Sequence, residues 1–197
     1  MLEKYSPPAS EKIIQVGDGS VGKTSLYITY ATGSYPEEFI PTIFDNYDLS
    51  VRVEGKSYLI GLWDTAGPEG NLRPLNYPDT SLFLLSFSCV AENSFFNVAL
   101  KWIPEIRHHC PDTPIILVNN KVDYRTDPIF LLKYDTNPIT FEEGELMAKK
   151  IGCITYIETS SKKRYGFDDL SEIILKAIAI SRDENYGKSH SKKCLVQ

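Results

Sequence analysis

Apolar residues fall along this chain in two alternating rhythms. Two continuous runs, LFLLSF (82–87) and PIILV (114–118), have strand length and no polar alternation, as in strands buried on both faces of a sheet, and KIIQV (12–16) is a short apolar run that ends at Gly17. Two more runs, YDLSVRVE (47–54) and SYLIGLW (57–63), flank Gly55 and Lys56 and predict an antiparallel pair. Helical character follows in GKTSLYITYA (22–31), near 92–109, near 142–151 and over 167–182, where Leu170, Ile173, Ile174, Ala177 and Ile178 form one core-facing stripe. Buried strands that alternate with helices imply an α/β fold with a mostly parallel sheet and right-handed crossovers. Ligands bind such sheets at the carboxyl ends of the strands, so chemistry is sought directly after each one.

The chain has 197 residues, which suits one domain with a full core. The expected division is a loose polar leader (1–11), a domain (12–182) and a flexible tail (183–197). The net charge of −5 argues against a nucleic-acid polymer as partner. Cys89, Cys110, Cys153 and Cys194 form no CxxC pair and read as free thiols. No apolar run approaches the roughly 20 residues that span a bilayer.

After the first strand comes GDGSVGKT (17–24), the G-x-x-x-x-G-K-T pattern. Gly17, Gly19 and Gly22 let the backbone curl so that N–H groups face phosphate oxygens. Lys23 supplies a point charge for the β and γ phosphates, the Thr24 hydroxyl can ligate Mg²⁺, and the helix N-terminus adds its partial charge. The nucleotide-contacting set here is Gly17, Asp18, Gly19, Ser20, Val21, Gly22, Lys23, Thr24 and Ser25. At the end of the third strand, WDTAG (63–67) places Asp64 to hold the Mg²⁺ through water and Gly67 to offer an N–H to a γ-phosphate. NNKVD (119–123) follows a buried strand. The Asp123 carboxylate can accept from the N1–H and the exocyclic amino group of guanine, a pair that adenine lacks. Asn120 belongs to the same loop, and Lys121 can cover the base with its alkyl stem. ETSSK (158–162) offers backbone N–H groups of Ser160, Ser161 and Lys162 to the guanine O6.

In the order P-loop, DxxG, NKxD, the chain resembles the Ras-like small GTPases, and among them the Rho/Rac family, over residues 12–197. GDGSVGKTSL, YPEEFIPTIFDNY, LRPLNYPDT, KWIPEIRHHCPDTPIILV and the C-terminal CLVQ carry the likeness. It implies a Ras-like P-loop NTPase fold, a mixed, mostly parallel sheet of six strands, one antiparallel, flanked by about five helices, and a guanine-nucleotide switch that binds GTP and GDP with Mg²⁺ and signals to the actin cytoskeleton at membranes. It implies catalytic roles for Lys23, Thr42 and Gly67, with Thr42 joining Thr24 and Asp64 on the metal when GTP is present. Tyr35 falls where the family stacks a ring on guanine, and Asp45 is the Rac-like residue at an effector position. Exchange factors, effectors and a GDP-dissociation inhibitor would read switch I (Tyr35–Tyr47) and switch II, on a monomeric protein. Cys194 opens a C-a-a-X box whose final Gln selects farnesyl, with Lys188, Lys192 and Lys193 as a small basic supplement. That implies the cytoplasmic face of membranes, the plasma membrane above all, with a cytosolic pool. Residues 124–141 resemble a shortened, less basic Rho insert.

The departure lies in switch II. Where the family has a Gln to orient the attacking water, this chain has Pro68, and the loop before LRPL is two residues shorter than in a typical Rho chain. Hydrolysis is therefore expected to be slow. The alternatives are a permanently GTP-loaded binding module of the Rnd type, or an efficient hydrolase in which Glu69 or Asn71 replaces the Gln. His108–Cys110 is expected as a helix end, not a metal site. Glu142, Glu143, Asp168 and Asp169 are expected at helix starts, and Trp63 and Trp102 as partly buried packing residues, Trp63 also facing exchange factors.

Overall fold

The computed structural model describes residues 9–37, 45–64 and 73–182. Six strands form one sheet: β1 (Ala9–Gly17), β2 (Asp45–Val53), β3 (Lys56–Asp64), β4 (Leu82–Ser88), β5 (Ile115–Asn120) and β6 (Thr155–Glu158), in the order β2-β3-β1-β4-β5-β6. Only β2 runs antiparallel, and it is joined to β3 by a tight hairpin. Glu54 (φ 50) and Gly55 (φ 79) both take left-handed conformations there, the twist that a two-residue hairpin turn needs. Every residue of β4 and β5 is buried, as their unbroken apolar runs predict.

The helices are α1 (Lys23–Thr32), α2 (Glu92–Asn97), α3 (Ile103–His109), α4 (Pro128–Tyr134), α5 (Phe141–Lys150) and α6 (Leu170–Arg182). A π-helical stretch, Val98–Trp102, joins α2 to α3 without a break, so five helical bodies flank the sheet among the described residues. Successive strand residues feed two cores. Ile13, Ile60, Leu62, Leu82, Leu84, Ile116 and Val118 meet α1 and α6 on one face. Ile14, Val16, Phe83, Leu85, Phe87 and Leu117 meet α2, α3 and α5 on the other. The α6 stripe packs as expected: Leu170, Ile174, Ala177 and Ile178 are buried, and Ile173 is partly so.

Three expectations are corrected: the length of the leader, the start of the last helix and the burial of Trp102. The expected leader, 1–11, runs too far, because β1 begins at Ala9 and pairs Ser10 with Leu59 and Glu11 with Ile60. Glu11 can sit buried in a strand because Arg182, at the end of α6, donates to both its oxygens at 2.9 Å. The segment 124–141 holds a helix of its own, α4, whose start is capped by Asp127: its Oδ1 accepts from the N–H groups of Ile129 (3.1 Å) and Phe130 (3.0 Å). Pro128 in the first turn fits that cap. The last helix starts three residues later than expected, after a turn in which Leu170 N–H donates to Phe167 O. Trp102 is fully buried, not partly so. The α3 helix ends at His109, so the His–His–Cys run is a helix end, and no cluster of His, Cys, Asp or Glu suited to a metal occurs among the described residues. Cys89, Cys110 and Cys153 are free thiols, and burial pushes Cys89 up to about 12.

Candidate nucleotide-binding site

The loops after β1, β5 and β6 meet at one edge of the sheet. Gly17 closes β1 with φ 148, and a Cβ there would overlap the Ser86 carbonyl of β4. Gly22 takes φ 99 at the start of α1, and a Cβ there would reach Lys121 Cε at 3.5 Å and Asn120 Cβ at 3.6 Å. These two positions explain why the loop needs glycine: one meets a neighbouring strand and the other turns left-handed into the helix. Lys23 is buried, and its Nζ donates to the carbonyls of Gly17 (3.0 Å) and Asp18 (2.8 Å). The ammonium is thereby held against the loop that would cradle phosphates. Gly19 has open space around it.

The base side is tied to the P-loop directly. Lys121 takes a left-handed conformation (φ 61), and its Nζ donates to Ser20 O at 2.7 Å. Burial lowers the Lys121 pKa, against the opposing pull of the Asp123 charge. The Asp123 carboxylate is aimed by Ser160, whose Oγ donates to Oδ1 at 2.6 Å while accepting from Lys163 N–H at 3.1 Å. Asn120 Oδ1 accepts from Thr159 Oγ1 at 2.7 Å. Val122 N–H reaches Thr159 O, and Cys89 N–H reaches Asn120 O. The loops after β4, β5 and β6 are thus sewn into one rigid wall.

A pocket with roughly 420 Å³ of space opens between these loops, lined by Gly22, Ser25, Tyr35, Asn120, Lys121, Asp123, Tyr124, Ser161 and Lys162. The lining fits a purine nucleotide: a carboxylate at one end, alkyl and aromatic walls, and Gly22, whose missing side chain leaves room beside Lys121 and Asn120. Behind it, Arg125 donates to both oxygens of Glu158 (2.8 and 2.6 Å), and Tyr156 and Asn119 complete the network.

Most residues expected from the sequence therefore converge here. Asp18 is a partial exception: its backbone lies in the loop, but its carboxylate is bound by Asn97 and Trp102. For the metal set, Thr24 lies in the first turn of α1, and the Asp64 backbone pairs with Gln15 at the end of β3. Thr42, Gly67, Pro68, Glu69, Asn71 and Cys194 lie outside the described residues. Sequence reasoning missed Ser160 as the residue that orients Asp123. It also missed Tyr124, although its position next to Asp123 could have suggested it, and the Asn97–Trp102 contact, for which no local signal exists.

A P-loop, a base pocket ending in a carboxylate and a parallel sheet that presents both define a P-loop nucleotide-binding domain. The chain belongs to the Ras family, whose model matches residues 12–180. It is accordingly a small GTPase, a nucleotide-binding switch of the class that binds GTP and GDP with Mg²⁺ and works through exchange factors and effectors.

Proposed function

We propose that this small GTPase is of Rho/Rac type, hydrolyses GTP slowly and works at membranes through a lipid on Cys194, in signalling to the actin cytoskeleton. The Rho/Rac reading is supported by the stretches around both switches and by α4, a separate helix between the base loop and α5. The observation that carries slow hydrolysis is Pro68, directly after the DTAG glycine.

In this reading Asp123, held by Ser160, selects guanine. Tyr35 and the Lys121 stem enclose the base. Lys23, fixed by two carbonyls, would meet the β and γ phosphates, and Thr24, Thr42 and, through water, Asp64 would hold Mg²⁺, whose charge would offset that of the phosphates. Catalysis of phosphoryl transfer rests on positioning and charge stabilisation, so a missing water-orienting side chain is felt directly. Pro68 offers no side-chain donor or acceptor and no N–H. Exchange factors, effectors and a GDP-dissociation inhibitor would contact Tyr35–Tyr47 and the shortened switch II.

The deciding experiment is single-turnover phosphate release from GTP-loaded protein, with and without an activating protein, beside Pro68→Gln. The expected intrinsic rate lies below the order of 10⁻⁴ s⁻¹ typical of a chain with the Gln, with little of the roughly 10⁵-fold stimulation. An ordinary rate would reject the proposal and point to Glu69 or Asn71. Near-zero turnover with persistent GTP loading would favour the Rnd-type variant of the same reading. For the anchor, Cys194→Ser should move the protein from the membrane to the soluble fraction of a prenylating cell. A single lipid chain binds only reversibly, so the effect should be nearly complete; an unchanged membrane share would count against it.

A further inference from the structure

The P-loop carries a carboxylate that is turned toward a helix. Asp18 Oδ2 accepts from Asn97 Nδ2 at 2.6 Å, and Oδ1 accepts from Trp102 Nε1 at 2.9 Å. The two donors are five residues apart. On an α-helix, five residues turn about 500°, which leaves two side chains about 140° apart, too divergent to share one carboxylate. The π-helical stretch Val98–Trp102 widens that turn, and residues i and i+5 come into line. The π stretch and the two-pronged contact are therefore one feature.

Trp102 is itself held. It is 1% exposed, and the Arg73 guanidinium and the Lys101 ammonium lie over its ring at 4.5 and 4.4 Å. Arg73 donates to Glu105 through Nε (3.0 Å) and Nη2 (2.7 Å), and Tyr77 Oη donates to the same carboxylate at 2.5 Å. On the other side of Asp18, its own carbonyl and that of Gly17 hold Lys23 Nζ. A chain of contacts thus runs from Arg73, just beyond the DTAG loop, through Trp102 and Asp18 to the phosphate-binding lysine.

We propose that Asn97 and Trp102 are positioning residues of the nucleotide site: they clamp Asp18, keep its charge away from the phosphates and hold the carbonyls that aim Lys23. The π-bulged helix then sets how long a nucleotide stays bound, and anything that shifts Arg73 or Trp102 acts on nucleotide release. The inference rests on the guanine-nucleotide reading of the site.

The test is release of a fluorescent GDP analogue from the Mg²⁺-loaded full chain, chased with GDP, for the parent, Asn97→Ala, Asp18→Ala and the double variant. Asn97 is partly exposed, so its truncation leaves the core intact. Asn97→Ala is expected to speed release on the order of tenfold, the effect of losing a hydrogen bond to a charged group. In the Asp18→Ala background the same change should alter release by less than about twofold, because nothing is left to clamp. Unchanged release in Asn97→Ala, or equal effects in both backgrounds, would overturn the proposal. The indole N–H resonance of Trp102 is the independent readout. It should shift in Asp18→Ala and again when chelation removes the nucleotide; a signal indifferent to nucleotide removal rules out the coupling. A parent that binds GDP while its variants behave additively sinks the clamp alone, whereas a parent that binds no GDP takes both readings down.

Discussion

At the scale of single residues, the base pocket depends on how firmly one carboxylate is aimed. Asp123 can satisfy both guanine donors only if its plane is fixed, and Ser160 Oγ fixes it at 2.6 Å. If Asp123 reads guanine as proposed, Asp123→Ala removes two charge-assisted hydrogen bonds and should cost about 3 kcal/mol or more of GDP affinity. Ser160→Ala leaves the carboxylate in place but unaimed, and should cost about 1–2 kcal/mol, roughly tenfold. Titration of both variants and the parent with GDP and ADP checks this. A parent that binds ADP as tightly as GDP would show the base assignment to be wrong, and an unaltered Ser160→Ala would show that the hydrogen bond does not orient the acid.

Among the elements, α5 and β6 meet at Gly144. In most helices Gly→Ala stabilises by about 1 kcal/mol. Here a Cβ would overlap the Tyr156 ring at Cζ and the hydroxyl. That ring cannot swing aside cheaply, since Tyr156 Oη donates to Glu158 Oε1 (2.7 Å) and accepts from Asn119 Nδ2 (3.0 Å). Overpacking costs about 1–3 kcal/mol, so the clash outweighs the propensity gain. Gly144→Ala should lower the urea midpoint, and the sign should reverse in a Tyr156→Leu background, where space exists. A stabilised Gly144→Ala in the native background would contradict this account. The same elements show what could be read locally. The capping box at the start of α5, Thr140 with Glu143, fits the expected helix start at Glu142–Glu143. The start of α4 was signalled by Asp127–Pro128 but hidden in a stretch read as an insert.

Across the whole molecule, two partly buried carboxylates, Glu158 and Glu105, tie distant segments together. Burial alone would raise Glu158, but hydrogen bonds from Arg125 and Tyr156 and the Arg125 charge outweigh it and hold the carboxyl below its ordinary 4.5. Glu105 is likewise lowered against burial by Arg73 and Tyr77. A folded pKa below the unfolded one means that the native state binds fewer protons in that window. Their stabilisation is therefore complete above about pH 5 and drains away as pH falls through the folded values. The urea midpoint should drop as pH is lowered from about 5 to about 3, and Glu158→Gln should be less stable near neutrality but flatter across that range. Equal slopes in variant and parent would show that this pair does not drive the acid response.

The sequence by itself determined the α/β class, five of the strand positions and the motif order, because each is a local pattern. An unbroken apolar run of strand length bounded by turn residues reads as a doubly buried strand from its own residues, and a Gly-rich turn before a Lys–Thr helix start needs no distant partner to be recognised. It also shows Pro68 directly after the glycine of DTAG. Only the tertiary structure decided that Glu11 belongs to a strand, that Ser160 aims Asp123, that Lys121 locks onto Ser20 and that Asp18 faces Asn97 and Trp102. Each of these joins residues 37 to 171 positions apart. Such pairs carry no periodicity and no fixed spacing; they exist because the fold brings the loops after β1, β5 and β6 together, sets Asp18 beside the helix that follows β4 and sets Arg182 of α6 beside β1, and a buried charge or donor is stable only where a partner meets it.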